Sequence, residues 1–296
     1  MGAIVDPRKI YTFEQMKVDI DCLCIKYPYL AKEIIGYSVE KRELFAIKLG
    51  TGSKNVLLNG AHHAREWLTT ALLMNMIEYY CELVQLKADF RKLLQDVSIW
   101  FIPMVNPDGV TLVQTGSNLP FLRTLNNESD DFRAWKANIR GVDLNRQYPV
   151  DWESIDDQMK KPAPAMYKGA QPLSEPEVKA LYQFVLEKDF CNAACYHSSG
   201  EEIFWKYKIT GELLNQAKGL ANDLAELTGY QLVEPDGEPS GGGFTDWFLM
   251  QMERPSFTIE IAPYIGPRPV PITYFDQIWE QNKEVGIFLA EACLGT

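Results

Sequence analysis

The chain holds three histidines. Two stand side by side in Gly60-Ala61-His62-His63-Ala64-Arg65-Glu66-Trp67, and the third, His197, lies in Tyr196-His197-Ser198-Ser199. His63 and Glu66 form an H-x-x-E pair. Residues three apart share a face on a turn or at a helix start, so one imidazole and one carboxylate can converge on a point. His197, arriving from another strand, would close the set. Catalytic zinc takes three protein ligands of the His₂Glu or His₃ kind and leaves a fourth position to water, which these residues could supply for one Zn²⁺ ion. The pattern is short, and a solvated helix start is its competing reading, so the rest of the chain must support it.

The 296 residues, 46% of them hydrophobic, are ample for a buried core, and no low-complexity tract or Gly/Ser linker divides them. Forty acidic against twenty-nine basic residues give a net charge of −11, which argues against a nucleic-acid partner or a general attraction to anionic membranes. Any cationic site must be local. The first residues lack the pattern of a signal peptide, and no apolar run approaches the ~20 residues needed to span a bilayer. A cytoplasmic location is expected, with a trimmed secreted chain as the alternative. Cys22, Cys24, Cys81, Cys191, Cys195 and Cys293 form no C-x-x-C pair and read as mostly buried reduced thiols. Cys195 would point the same way as His197 on a strand, although a small core residue is its simpler reading.

The elements that must position these groups follow from periodicity. Thr12 to Gln15 matches a capping box, and Phe13, Met16, Ile20, Leu23 and Tyr27 continue at helical spacing up to Pro28. Strands are expected at Leu44 to Leu49 and Val56 to Leu58, with a long helix after Glu66, so the H-x-x-E pair falls where a strand ends and a helix begins. In open α/β sheets ligands bind at that edge. Val97 to Val105 reads as a buried strand and Asn106-Pro107-Asp108-Gly109 as a turn. From about Gln114 to Ala170 periodicity fades, as in the walls of a binding site. It returns in helices at Glu175 to Glu187, Glu212 to Leu227 and Tyr274 to Ala292, and in strands through Ala193 to His197 and Ser256 to Ile261. The alternation predicts an α/β fold with helices on both sheet faces.

Taken together, these motifs resemble the zinc metallocarboxypeptidase family, the funnelins. The resemblance rests on Gly60 to Trp67, Val105-Asn106-Pro107-Asp108-Gly109, Gly141-Val142-Asp143-Leu144-Asn145-Arg146, the His197 strand, Gly242-Gly243-Phe244-Thr245-Asp246-Trp247 and Phe257-Thr258-Ile259-Glu260, in the family's order. Within the family the chain looks most like bacterial γ-D-glutamyl-L-diamino acid peptidases. The resemblance implies a single catalytic domain over residues 1–296 with a mixed, mostly parallel twisted sheet. It implies His63, Glu66 and His197 as zinc ligands, with His62 a neighbour, and Asp143 as the carboxylate that fixes the tautomer of His63. Glu260 would be the general base, taking a proton from a zinc-activated water and returning it to the leaving nitrogen. Asn145 and Arg146 would hold the substrate carboxylate, to which a guanidinium offers two donors. Arg65 would be a further substrate contact, unless it simply pairs with Glu66.

Two positions depart from the family. Lys136 stands where an arginine usually stabilises the oxyanion; it can supply the charge with less geometric definition, and Arg140 is a neighbouring substitute. An ungapped match puts Glu238 where digestive members carry a mobile tyrosine, which suits a substrate bearing an amine. Thr245 stands where members differ in side-chain preference. These features suggest hydrolysis of the γ-D-glutamyl-diaminopimelate bond of peptidoglycan stem peptides. The alternatives are a carboxypeptidase for ordinary peptides, an acyl-amino-acid deacylase, or a non-catalytic binder of peptides. The expected partner is a peptide or muropeptide; the sequence does not reveal an oligomeric state.

Overall fold

Trp100 and Phe101 are neighbours in the chain and point to opposite faces of one strand, as the two-residue period of β structure requires. Trp100 meets Phe184 edge-on at 5.2 Å between ring centres, and Phe101 meets Tyr80 at 6.0 Å. In this computed structural model, which describes residues 2–156, 159–234 and 241–295, each face is therefore covered by helices. Leu68–Leu86, carrying Tyr80, and Val285–Leu294 cover the Phe101 face. Pro176–Glu187, carrying Phe184, covers the other, together with Phe244–Gln251, whose Trp247 packs on Tyr182 at 4.9 Å.

The strands are β1 (Leu30–Tyr37), β2 (Glu43–Leu49), β3 (Lys54–Gly60), β4 (Val97–Ile102), β5 (Phe190–Ser198), β6 (Glu202–Phe204), β7 (Gln231–Val233) and β8 (Ser256–Ile261). They form one sheet in the order β1-β2-β4-β3-β5-β8-β6-β7. The centre, β4-β3-β5-β8, is parallel, while β2 and β6 join it antiparallel. Parallel strands are covered on both faces, which explains why Val97–Ile102 is buried at every position. This is the mixed, mostly parallel α/β sheet expected from the sequence. Among the described residues, no helix is long and apolar enough to cross a membrane.

Parallel register brings the chemistry to one edge. Gly60 at the end of β3 lies opposite Tyr196, and His197 of β5 lies opposite Glu260 of β8. All three strands end at the same side of the sheet, where ligands bind in open α/β folds. Beyond β3 the chain turns through Ala61 at φ 53°, held by the Ala61 N–H donating to Thr69 Oγ1 at 2.9 Å.

Several expected elements take a different form. Asn106-Pro107-Asp108-Gly109 opens the helix Pro107–Thr115 rather than making a free turn, because Asn106 caps it, accepting from Gly109 N at 3.0 Å, with proline in the first turn. The amide of Asn106 also donates to the carbonyls of His62 and Ala137, at 3.0 and 3.1 Å, tying two site loops together. The first helix is Phe13–Lys26, and Thr12 caps it, but the side chain of Gln15 turns to Asp19 instead of completing the box. The closing helix is two, Phe275–Asn282 and Val285–Leu294, and at the start of the second the free Gly286 N–H donates to Tyr80 Oη. β1 and the helix Ala88–Asp96 have no sequence-based counterpart; β1 is an edge strand with an irregularity between Ile34 and Gly36, which spoils its alternation.

Glu177 is buried at the start of Pro176–Glu187. One carboxyl oxygen accepts from Val39 N at 3.2 Å and the other has no partner among the described residues. Burial pushes its pKa up to about 7, with Asp108 and Glu175 acting in the same direction. A carboxyl whose folded-state pKa lies above its unfolded value binds more protons when folded, so its contribution is complete below pH ~4.5 and is lost as pH rises through ~7. Glu177→Gln should therefore flatten the dependence of stability on pH, reducing the loss between pH 4 and 8 by about 3 kcal/mol in urea unfolding. An unchanged slope would show that Glu177 does not bind the proton.

Candidate active site

His63 precedes the short 3₁₀ turn Ala64–Glu66, which returns the Glu66 carboxylate to its own imidazole. Glu66 Oε1 lies 2.9 Å from His63 Nδ1 and Oε2 lies 2.9 Å from His197 Nδ1, while the two Nδ1 atoms are 3.0 Å apart. All three residues are buried. The far nitrogen of each ring faces a group of its own. His63 Nε2 lies 3.2 Å from Asp143 Oδ1, off the line of a good hydrogen bond, and His197 Nε2 lies 3.3 Å from Cys195 Sγ. If those far nitrogens carry the ring protons, what remains is two lone pairs and a carboxylate facing one another. Such a set, with ligand atoms all within 4.8 Å, has the chemistry of a cation site. Burial opposes ionisation of Glu66, yet the imidazoles of His63 and His197 outweigh it and hold the carboxyl below its usual range. Burial and the proximity of His63 also lower the pKa of His197.

Asp143 is completely buried. Burial works against its charge, but Lys136 and then His63 overcome it and hold its pKa well below the ordinary value. Lys136 Nζ lies 3.2 Å from Asp143 Oδ2, and the Lys136 carbonyl accepts from Ala64 N at 3.0 Å. On β8, burial and the Glu66 carboxylate push Glu260 up to about 8, against the pull of Lys136.

His63, Lys136, Asn145, Arg146, Thr245 and Glu260 line one cavity of about 190 Å³, with Phe204, Asp246 and Thr258 among its other walls. Asn145 Oδ1 accepts from Phe244 N at 2.9 Å, fixing the loop to the helix Phe244–Gln251, and Arg146 Nη1 donates to the Asn145 carbonyl at 2.7 Å. The Nε of Arg146 is buried without a partner among the described residues, a donor able to receive an anion. On the floor Thr245 and Thr258 share a hydroxyl hydrogen bond of 2.7 Å, and burial raises Asp246 to about 6 despite Arg146.

A family model described as zinc carboxypeptidase (Peptidase_M14) matches residues 16–285. The chain belongs to the zinc carboxypeptidase family. It is 33% identical over 298 residues to γ-D-glutamyl-L-diamino acid endopeptidase 1 of Lysinibacillus sphaericus, covering 97% of this chain and 73% of that protein. Among solved structures, carboxypeptidase A of Helicoverpa armigera superposes with a TM-score of 0.80 at 19% identity, over 98% of this chain and 75% of that one. The murein-tripeptide amidase MpaA of Escherichia coli O157 does so at 0.53 and 19%, over 88% and 91%. Membership makes this protein a metallopeptidase hydrolase, and the family is a zinc family.

Not every residue expected at the site of this zinc carboxypeptidase relative faces the cavity. The Arg65 guanidinium donates to the Ala134 carbonyl at 3.0 Å and lies outside the cavity lining. Of the two cations considered for an oxyanion, Lys136 lines the cavity, whereas Arg140 is half exposed and reaches Glu175 at 3.5 Å. Glu238 lies outside the described residues. Sequence reasoning missed Phe204 and Thr258. Thr258 was findable, since it is two residues before Glu260 on a strand and so shares its face; Phe204 ends a three-residue strand that carries no periodic signal.

Gly242 holds this wall in place. It has φ +69°, its carbonyl accepts from Tyr148 N at 3.0 Å, and an added Cβ would stand 3.0 Å from the Arg146 carbonyl and 2.5 Å from Ile155 Cδ1. Gly242→Ala should cost about 1–2 kcal/mol from the left-handed backbone alone and raise KM by displacing Arg146. Denaturant melts and steady-state kinetics check both, and an alanine variant with unchanged melt and KM would contradict this role.

Proposed function

We propose that the protein is a one-zinc peptidase hydrolysing the γ-D-glutamyl-diaminopimelate bond of peptidoglycan stem peptides. The observation that carries the reading is the buried acceptor cluster of His63, Glu66 and His197 beside a cavity that His63 lines together with Arg146, Glu260 and a second carboxylate, Asp246. His63, Glu66 and His197 would hold the ion. When bound, zinc supplies Lewis acidity, polarising the scissile carbonyl and lowering the pKa of a water.

The protein's own groups do the rest. Glu260 takes the proton of the attacking water and delivers it to the leaving nitrogen, one residue serving as base and then acid. Burial and then Glu66 raise Glu260; a cation bound by Glu66 would remove the second of these and favour the ionised carboxylate that the first transfer needs. Lys136 places positive charge beside the developing oxyanion. Its contact with Asp143 restrains it and compensates for the flexibility of an ammonium. Asn145 and Arg146 receive the carboxylate of the leaving residue; the Arg146 Nε, without a partner among the described residues, is the donor for it. Local cations thus offset the net charge of −11 where an anion must enter.

The floor of Thr245, Thr258 and Asp246 is polar and acidic, unsuited to a large apolar side chain and suited to the amine of a diamino acid. The likeness to a γ-D-glutamyl-L-diamino acid endopeptidase supports the same substrate class. A carboxylate-holding Asn145-Arg146 pair also fits ordinary carboxypeptidase substrates, so substrate choice decides between the two.

Zinc-loaded protein incubated with L-Ala-γ-D-Glu-meso-diaminopimelate should release free diaminopimelate, seen by mass spectrometry and abolished by chelator; turnover of a hippuryl-Phe substrate alone would overturn the substrate assignment. Glu260→Gln should lower kcat by about 10²–10⁴-fold while one equivalent of zinc still binds. Asp246→Asn should impair the diaminopimelate peptide more than a C-terminal Phe peptide, and equal losses on both would refute the acidic floor as an amine site.

A further inference from the structure

Behind the cluster lies a second row of buried groups that the reaction does not use. His197 Nε2 is 3.3 Å from Cys195 Sγ, Cys195 Sγ is 3.5 Å from His62 Nδ1, and His62 Nε2 is 3.0 Å from Tyr148 Oη. All four residues are buried, and the His62 ring stacks on His197 at 5.7 Å between centres. Their positions follow from the sheet and its flanking loops. Cys195 and His197 are two apart on β5 and share a face. The loop around His62 is fixed by Asn106, whose amide donates to the His62 carbonyl. Tyr148 is packed against Trp247 at 5.4 Å.

We propose that Cys195, His62 and Tyr148 form a hydrogen-bond relay that positions His197, holding its proton on Nε2 and its Nδ1 bare for the metal. This rests on the reading of His63, Glu66 and His197 as ligands. The direction of each bond follows from what each group can give. A ligating Nδ1 carries no proton, so the ring proton is on Nε2 and is donated to the Cys195 sulfur. A thiol has one proton of its own, and the His62 Nδ1 lone pair is the acceptor within its reach. His62 then keeps its proton on Nε2 and donates it to Tyr148 Oη. Run the other way, with Tyr148 donating first, the same chain would end with the proton on His197 Nδ1, hydrogen-bonded to Glu66 and blocking the metal. The relay thus has two consistent proton orders, and the ion selects one.

The two ligating histidines are therefore oriented by different chemistry. His63 faces a carboxylate, Asp143, whereas His197 faces a thiol, a weaker acceptor that has to be oriented by groups behind it. The separations of 3.3 and 3.5 Å suit the size of sulfur. A serine hydroxyl at this position, on a shorter bond, keeps the donor and acceptor but reaches both rings less well. His62 Nδ1, Cys195 Sγ and His197 Nε2 also lie close enough to one another to hold a metal themselves, and the experiment has to separate that use from a relay.

The test is zinc affinity by chelator competition, zinc stoichiometry, the visible spectrum of the cobalt-substituted protein and the melting temperature of the metal-free protein, for the parent, Cys195→Ala, Cys195→Ser and Tyr148→Phe. We expect one zinc in every case, with affinity about 10- to 100-fold weaker in Cys195→Ala, partly restored in Cys195→Ser and reduced several-fold in Tyr148→Phe. The cobalt bands should shift in Cys195→Ala while the metal-free melting temperature stays close to the parent's. Unchanged affinity and spectrum in Cys195→Ala would overturn the relay. So would a metal-free melting temperature that falls in step with affinity and is not rescued by serine, which marks Cys195 as packing alone. A second zinc in the parent that disappears in Cys195→Ala would replace the relay with a metal site. A parent protein that binds no zinc would instead overturn the ligand reading beneath it.

Discussion

Two imidazole nitrogens 3.0 Å apart, each 2.9 Å from an oxygen of one buried carboxylate, form an arrangement that is costly unless a positive charge is shared among them. Much of the surrounding structure holds this contact. The turn Ala64–Glu66 brings Glu66 back onto His63, β5 delivers His197 from the sheet, and Asp143 and Cys195 face the far side of each ring. Asn106 and the Lys136 carbonyl fasten the loops that carry His62, His63 and Ala137. Polar groups confined in this way rigidify a core when they find partners, and the groups that face these rings lie one layer outward.

The neighbouring cavity solves the complementary problem. The acceptor cluster attracts a cation, while the reaction proposed for it brings in an anionic substrate. The chain as a whole is acidic, and the positive groups at the cleft are held in place: Lys136 is restrained by Asp143, and Arg146 is anchored through the Asn145 carbonyl, its Nε without a partner among the described residues. Asn145 serves both sides, since its side-chain oxygen fixes the start of the helix that carries Thr245 and Asp246. The loop that carries Asn145 and Arg146 is thereby joined to the helix Phe244–Gln251 in one wall of the cavity, and Gly242, at φ +69°, lies against the Arg146 carbonyl.

Much of this was legible in the residues. The H-x-x-E spacing, the isolated third histidine and the apolar flanks of Glu260 pointed to groups that the fold does bring to one edge of the sheet, and the strand-then-helix alternation pointed to the right class of sheet. Other features were hidden for identifiable reasons. Asn106-Pro107-Asp108-Gly109 satisfies the rules for a turn and for a helix start alike, and the helical run from Val110 to Thr115 decides between them. β1 carries a register irregularity that breaks its alternation, and β6 is too short to have a period. The helix expected from Tyr274 to Ala292 divides just before a point where a tyrosine from a different helix takes the N–H of Gly286, a contact invisible in local spacing.

The sequence by itself determined which side chains could ligate, transfer a proton or bind a carboxylate, because those capacities belong to the residue types and survive in any fold. Tertiary structure decided which of them meet. Lys136 faces the cavity and Arg140 does not, Arg65 turns to a backbone carbonyl, and Cys195 stands behind His197 instead of merely filling the core. The physical reason is register. Pairing His197 with Glu260 across two parallel strands, and Gly60 with Tyr196 beside them, places residues far apart in the chain within a few ångströms, and that pairing is settled by packing over the whole sheet rather than by any local run of residues.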